Sequence, residues 1–338
     1  MSKVKVGILG AGYAASLHAN ILKQDERVDI IGVADLFVDK AEELAQSINE
    51  SVKAVETLDE LLNLSVDTVY ITTPNTLHVP PVLKCLENNV NVFCEKPMAT
   101  TEEDARKILE ASKKSKASYN LGMSRRFANA HKKIKSLIDS KRLDPKLVQV
   151  KLNRGELLNP AWTADAEKTG GFLYETTIHQ LDLLTYFLGP IKTLRCEATQ
   201  NISDCEYDNF AILFTFESGA IATFVSSAHS GWSFPFETIE MYGDYSTVRT
   251  QEIENYSFSP GLNHQIESED YSQVPFNIKG GYVEEDKLFI DSLINGTEPP
   301  VGAEEAYDIT FLITMVYESA KTGREINLKE EKKLLSLG

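Results

Sequence analysis

Two hydrophobic rhythms divide the chain. From Val4 to about Gly122, short apolar runs alternate with amphipathic stretches. The runs at Val4–Leu9, Asp29–Ala34, Thr68–Thr72, Asn91–Cys94 and Ser118–Gly122 read as buried strands. Between them, Asp39–Ile48, Val79–Glu87 and Glu102–Ser115 are long enough to be crossover helices. Strands that alternate with helices predict a parallel sheet covered on both faces, a doubly wound α/β layout of the Rossmann kind.

Beyond Arg126 the period changes. Helical patterns at Ala130–Ser140 and Leu173–Leu188 flank a strand at Leu147–Leu152. Longer strands rich in Thr, Phe and Val then follow at Thr193–Asn201, Asp208–Phe216, Ala220–Ser227 and Thr238–Tyr242. Turn pairs such as Ser218-Gly219 and Gly243-Asp244 join them as an antiparallel sheet would require. Two further helices are expected at Tyr282–Ile294 and Ala303–Thr322, either side of Pro299-Pro300. The expected division is 1–124 for a cofactor-binding domain and 125–338 for an α+β domain that binds substrate and oligomerises. Phe210, Ile212, Phe214 and Phe216 share one strand face, which predicts an apolar open sheet and a homodimer or homotetramer built through it.

Composition narrows the function. The 50 acidic against 34 basic residues give a net charge of −16, which argues against nucleic acid or an anionic membrane as partner. Nowhere do about 18 apolar residues run together, and the start lacks the pattern of a secretory signal, so a cytoplasmic protein is expected. Cys85, Cys94, Cys196 and Cys205 contain no CxxC pair and read as reduced structural thiols, with no metal site.

Gly10, Gly12 and Ala15 form a G-x-G-x-x-A turn directly after the first strand and before a helix. Such small residues allow a tight turn, approach of backbone to a pyrophosphate, and close helix–strand packing. The second strand ends in Val33-Ala-Asp35, at the distance along the chain where a carboxylate meets the adenosine ribose. Leu36, Phe37 and Val38 follow, and the first cation is Lys40, so Asp35 would repel a 2′-phosphate. NAD rather than NADP is the expected cofactor.

Two further stretches, Thr72-Thr-Pro-Asn-Thr-Leu-His78 and Cys94-Glu-Lys-Pro-Met98, follow strands in the same half. Arg125-Arg126-Phe127, Gly170-Gly171, Glu175-Thr-Thr-Ile-His179-Gln-Leu-Asp182 and Glu318-Ser-Ala-Lys-Thr-Gly-Arg324 extend the pattern along the chain. With the glycine turn, they resemble the glucose–fructose oxidoreductase, inositol dehydrogenase and rhizopine catabolism family, Gfo/Idh/MocA. The resemblance implies a Rossmann domain facing the sheet of a second domain, and substrates among sugars, inositols and related polyols. It implies that Gly10, Gly12, Tyr13, Ala14, Asp35, Thr73, Pro74, Asn75, His78, Glu95 and Lys96 line the cofactor, with Arg125 towards its nicotinamide. It implies that Lys96, Glu175 and His179 face the substrate, and that the bond before Pro97 is cis.

Those residue types suit oxidation of a secondary alcohol. An imidazole titrates near neutrality, so His179 can take the hydroxyl proton. The Lys96 cation can steady a developing alkoxide. Glu175, His179 and Asp182 share one face if the segment is a regular helix, so Glu175 can orient the imidazole or accept a substrate hydroxyl. Asp182 is expected to anchor a backbone amide. Many relatives carry Asp at the position of Glu175, and the longer side chain reshapes the pocket. Trp162 is a candidate to stack on a sugar ring. His18, His131, His229 and His264 show no partner spacing. Two other functions share these residues: an NAD-assisted glycoside hydrolase that oxidises its substrate transiently, and an NAD-sensing protein without catalysis.

Overall fold

The computed structural model describes residues 3–155, 161–204 and 206–335. It forms two compact units, residues 1–123 with 282–310, and residues 124–281 with 311–338. A single cut after residue 124 therefore misplaces residues 282–310. The reason is burial: Phe289 and Ile290, on the helix Tyr282–Asn295, complete the core of the parallel sheet with Val6, Ile8, Tyr70 and Phe93.

In the first unit six strands run parallel: β1 (Val4–Leu9), β2 (Val28–Ala34), β3 (Lys53–Val55), β4 (Thr68–Ile71), β5 (Asn91–Cys94) and β6 (Tyr119–Leu121). Their order is β3-β2-β1-β4-β5-β6. The direction in which successive strands are added therefore reverses across the parallel β1/β4 pair, which opens a crevice at the carboxyl ends of those two strands. The expected helices appear as Val38–Ile48, Val79–Glu87 and Glu102–Lys114. Strand β3 and the helix Leu58–Asn63 were not anticipated. β3 has three half-exposed or exposed residues and so no apolar run, while Thr57 and Glu60 form a capping box that starts the helix.

The second unit carries β7 (Leu147–Asn153), β8 (Ile191–Thr199), β9 (Asn209–Phe216), β10 (Ile221–Ser227), β11 (Glu237–Gly243), β12 (Ser246–Gln251), β13 (Asn255–Ser259), β14 (Glu267–Asp270) and β15 (Ile326–Asn327). They form one sheet in the order β14-β13-β12-β11-β7-β10-β9-β8-β15, in which only the β7/β10 pair is parallel.

The sheet corrects the expected outward face. Phe210, Ile212, Phe214 and Phe216 are buried, and Phe210 lies against Phe172 and Tyr317. The intervening Leu213 faces outward, with Leu147, Ile221 and Val225 from neighbouring strands. Alternation marks two faces, and the larger aromatic set went inside because it buries more area. Among the described residues, no helix is long and apolar enough to cross a membrane.

Candidate active site

The glycine turn is shaped by contacts that leave one side open. Gly10 takes φ +96°, and a Cβ there would come within 2.9 Å of the Thr72 backbone. Its amide donates to Ala34 O, while Thr72 Oγ1 donates to Leu9 O. Gly12 differs, since nothing lies within 4 Å of where its Cβ would stand. It begins the helix Tyr13–Leu22 without a side-chain cap and with no acidic residue in the first turn. Tyr13 is exposed, Ala14 is half-buried, and Ala15 is fully buried against the sheet. Helix-terminal N–H groups that face open space beside a residue without a side chain suit the pyrophosphate of a dinucleotide.

Asp35, at the end of β2, braces this turn. One carboxylate oxygen accepts from the Ala11 amide at 2.8 Å and the other from Phe37 N at 2.9 Å. Leu36 and Phe37 are exposed, and Lys40 stacks over the Phe37 ring at 4.9 Å. After β4, Thr73 and Pro74 lead into the turn Asn75–Leu77, in which Asn75 is buried. His78 is also buried. Its Nδ1 meets Pro97 O at 2.7 Å and its Nε2 meets Thr73 O at 2.8 Å. Burial holds the His78 pKa below the ordinary imidazole value despite these two carbonyls. His78 therefore ties the segment after β4 to the segment after β5.

The Glu95-Lys96-Pro97 segment follows β5, with a cis bond between Lys96 and Pro97. Glu95 N donates to Ile71 O, which keeps the segment beside β4. One oxygen of the Glu95 side chain accepts from the Lys96 amide at 3.1 Å, and the other meets His18 Nε2 at 3.0 Å. Burial acts against the Glu95 charge, but His18 outweighs it and holds this carboxyl below its ordinary range. All these groups stand at the carboxyl edge of one parallel sheet, where the strand order opens the crevice.

In the second unit, residues 173–177 wind as a π-helical turn that passes into the helix Ile178–Leu188. Glu175 lies inside that wide turn and His179 just after it, both partly exposed. The expectation of one regular helix, with Asp182 on the same face, is corrected. Asp182 is buried and receives Arg126 Nε at 2.8 Å and Nη2 at 2.6 Å, a guanidinium rather than a backbone amide. The wide turn also has a foundation that the sequence did not signal. Glu206 accepts from Phe172 N at 2.8 Å, and Tyr317 Oη accepts from Leu173 N at 3.2 Å. Gly171 has φ +114°, and a Cβ there would lie 2.6 Å from that tyrosine oxygen.

Arg125 has its Nη2 3.7 Å from Glu237, and His131 Nδ1 meets Arg125 O at 2.8 Å. Trp162 belongs to the short turn Ala161–Ala164, and its side chain lies outside the described residues. Sequence reading missed His18, Asp286, Glu285, Glu206 and Tyr317. The nearest signals were Gly170-Gly171, which precedes the wide turn, and Glu95, which meets His18.

Residues 4–123 match the family model described as an oxidoreductase family with an NAD-binding Rossmann fold. Residues 135–328 match its C-terminal alpha/beta domain. A protein of Thermotoga maritima named myo-inositol 2-dehydrogenase is 22% identical over 337 residues, 97% of this chain and 99% of its own. An uncharacterized oxidoreductase of Streptococcus pneumoniae is 33% identical over 190 residues, 55% of this chain and 50% of its own. In three dimensions, an oxidoreductase of Agrobacterium radiobacter, solved with NAD+, L-tartaric acid and magnesium, gives a TM-score of 0.88. It is 19% identical, and the alignment spans 98% of this chain and 100% of the other.

Proposed function

We infer the reaction from one premise: the chain belongs to the Gfo/Idh/MocA family of oxidoreductases, whose first domain binds NAD. On that footing we propose a dehydrogenase that oxidises a secondary hydroxyl of a cyclitol or sugar, or reduces the matching ketone. The observation that carries this reading is the Glu95-Lys96-Pro97 segment. It lies at the carboxyl edge beside the open glycine turn and is tied there through Glu95 and His78. The relative named myo-inositol 2-dehydrogenase supports the substrate class.

Bound NAD supplies the hydride acceptor. Gly12, Tyr13 and Ala14 would present backbone N–H groups to its pyrophosphate, and Asp35 would accept from the ribose hydroxyls. Thr73, Pro74, Asn75, His78 and Glu95 would shape the rest of its pocket, with Arg125 towards the nicotinamide. We assign the remaining work to three side chains. His179 takes the hydroxyl proton, Lys96 opposes the negative charge that grows on that oxygen, and Glu175 orients the imidazole or accepts a second hydroxyl. We also propose a homodimer or homotetramer through the outward sheet face of Leu147, Leu213, Ile221 and Val225. A monomer by light scattering at micromolar concentration would end that idea.

A panel of inositols, sugars and sugar acids with NAD, followed by NADH absorbance, tests the activity. NADH formed with one substrate class, and lost in the Lys96 and His179 variants, is the expected result. Glycoside cleavage with no net NADH would replace this reading.

A further inference from the structure

His18 lies in the second turn of the phosphate-facing helix, away from the helix start, where the cofactor would need no imidazole. Its side chain is fully buried, among the rings of Tyr70, Phe93 and Tyr282 at 5.5, 4.9 and 6.1 Å between centroids. Both ring nitrogens meet carboxylate oxygens. Nδ1 is 2.8 Å from Asp286 Oδ1, and Nε2 is 3.0 Å from Glu95 Oε1. A neutral imidazole has one N–H and would turn a lone pair towards one of these oxygens, whereas an imidazolium donates to both. Three ionised groups in a dry core are not needed for stability, since well-packed apolar replacements often serve as well or better. What the charged chain adds is direction. It begins on the helix Tyr282–Asn295, passes through the phosphate-facing helix, and ends on Glu95, whose second oxygen takes the backbone N–H of Lys96.

We propose that Asp286, His18 and Glu95 form a buried positioning relay, an imidazolium between two carboxylates, that fixes the Glu95-Lys96 segment and so sets where the Lys96 ammonium stands. This inference rests on the role given to Lys96 above. The charges around the ring pull both ways on Asp286, since burial pushes its carboxyl up while His18 draws it back down. Burial acts against the cation, but Asp286 and Glu95 outweigh it and lift His18 well above the ordinary imidazole range. Burial and then Glu95 push the neighbouring Glu285 far up, which opposes a further negative charge beside the ring. Tyr70 is held protonated by burial and by Asp286. Lys96 itself acts on Glu95, in the same sense as His18.

Asp286→Asn keeps the shape and removes one charge. The ring then keeps one proton: the asparagine amide can donate to a bare Nδ1, and Nε2–H meets Glu95 as a neutral donor in place of a charged one, which loosens the hold on the Glu95-Lys96 segment. The test reads three quantities on the full-length protein. Nitrogen-15 NMR of the His18 ring, assigned by its loss in His18→Gln, should show both nitrogens protonated at about pH 8, where a free histidine is neutral. In Asp286→Asn one of them should lose its proton. After reductive methylation with carbon-13, the Lys96 resonance should move in Asp286→Asn and stay in place in the surface variant Lys84→Met. With substrate, kcat should fall about tenfold while NAD affinity changes by less than about threefold, and the loss should vanish in a Lys96→Met background.

A singly protonated His18 ring in the unaltered protein overturns the relay. So does a Lys96 resonance indifferent to Asp286→Asn, or a loss of kcat that adds to that of Lys96→Met as a general weakening of the fold would. If Asp286→Asn does not fold, Glu95→Gln breaks the chain at its other end and gives the same NMR readings. If no substrate is found, the dehydrogenase reading fails while the two NMR measurements still decide the relay.

Discussion

Lys96 carries a charge that any surface lysine carries, and the proposed dehydrogenase reaction would give that charge a use. Lys96→Met keeps the length and removes the cation, so kcat should fall by about two orders of magnitude, the scale of losing one oxyanion donor. Calorimetric NAD affinity should change far less, and near-normal turnover would remove Lys96 from the chemistry. Asp35 braces the Ala11 amide, and we propose that it also accepts from the ribose. NAD should therefore bind at least about tenfold, or 1.4 kcal/mol, more tightly than NADP. Asp35→Ala should weaken NAD binding and erase that preference, and equal affinities before mutation would show the ribose pocket misread. His179→Ala should abolish most turnover together with its rise with pH, whereas a retained titration would transfer the role of base to Glu175. The places of Gly10, Gly12, Asp35, Glu95 and Lys96 at the ends of β1, β2 and β5 were legible because each follows an apolar run. His18 was not, because its partner Asp286 is 268 positions away and only the folded chain brings the two together.

At the scale of elements, the strands and helices of the parallel half came close to their expected bounds, since a buried parallel strand writes itself as an unbroken apolar run. The antiparallel half was harder to read. β12 and β14 are mostly or wholly polar and β13 has only two aromatic residues, so all three escaped notice, while β9 gave its period but not which face would be covered. The wide turn at 173–177 was hidden, because its sequence also fits a regular helix and its supports, Glu206 and Tyr317, come from elsewhere in the chain. Gly171 is the residue that admits those supports. Gly171→Ala should destabilise the protein by more than about 1 kcal/mol, because alanine is strained at positive φ and would also displace Tyr317. Thermal unfolding measures this, and an unchanged Tm would show that the tyrosine moves aside without cost. Glu206→Gln, which keeps an acceptor for Phe172 N, should be milder than Glu206→Leu in the same assay.

For the molecule as a whole, the buried cluster of the first unit sets limits in both directions of pH. Glu95 has its pKa lowered by folding, so its contribution is present above the ordinary carboxylate range and fades as pH falls through the folded value. His18 and Glu285 have theirs raised, so their contributions are complete below the ordinary values and are lost as pH rises. Glu285→Gln imitates the neutral carboxyl permanently. It should raise Tm relative to the parent at alkaline pH and leave Tm unchanged in acid, below the carboxylate range. Scanning calorimetry across pH decides this, and a constant difference between the two proteins would mean that Glu285 does not titrate on unfolding. The chain also passes between the two compact units at 123/124, 281/282 and 310/311, the last inside the helix Ala303–Thr322. Gene fragments that end at residue 123 would carry every strand of the parallel sheet and still lack Phe289, Ile290 and Asp286. Such a fragment should be sticky and deaf to NAD, and a chimera that exchanges specificity with a relative must transplant two separate stretches of sequence and splice within a helix.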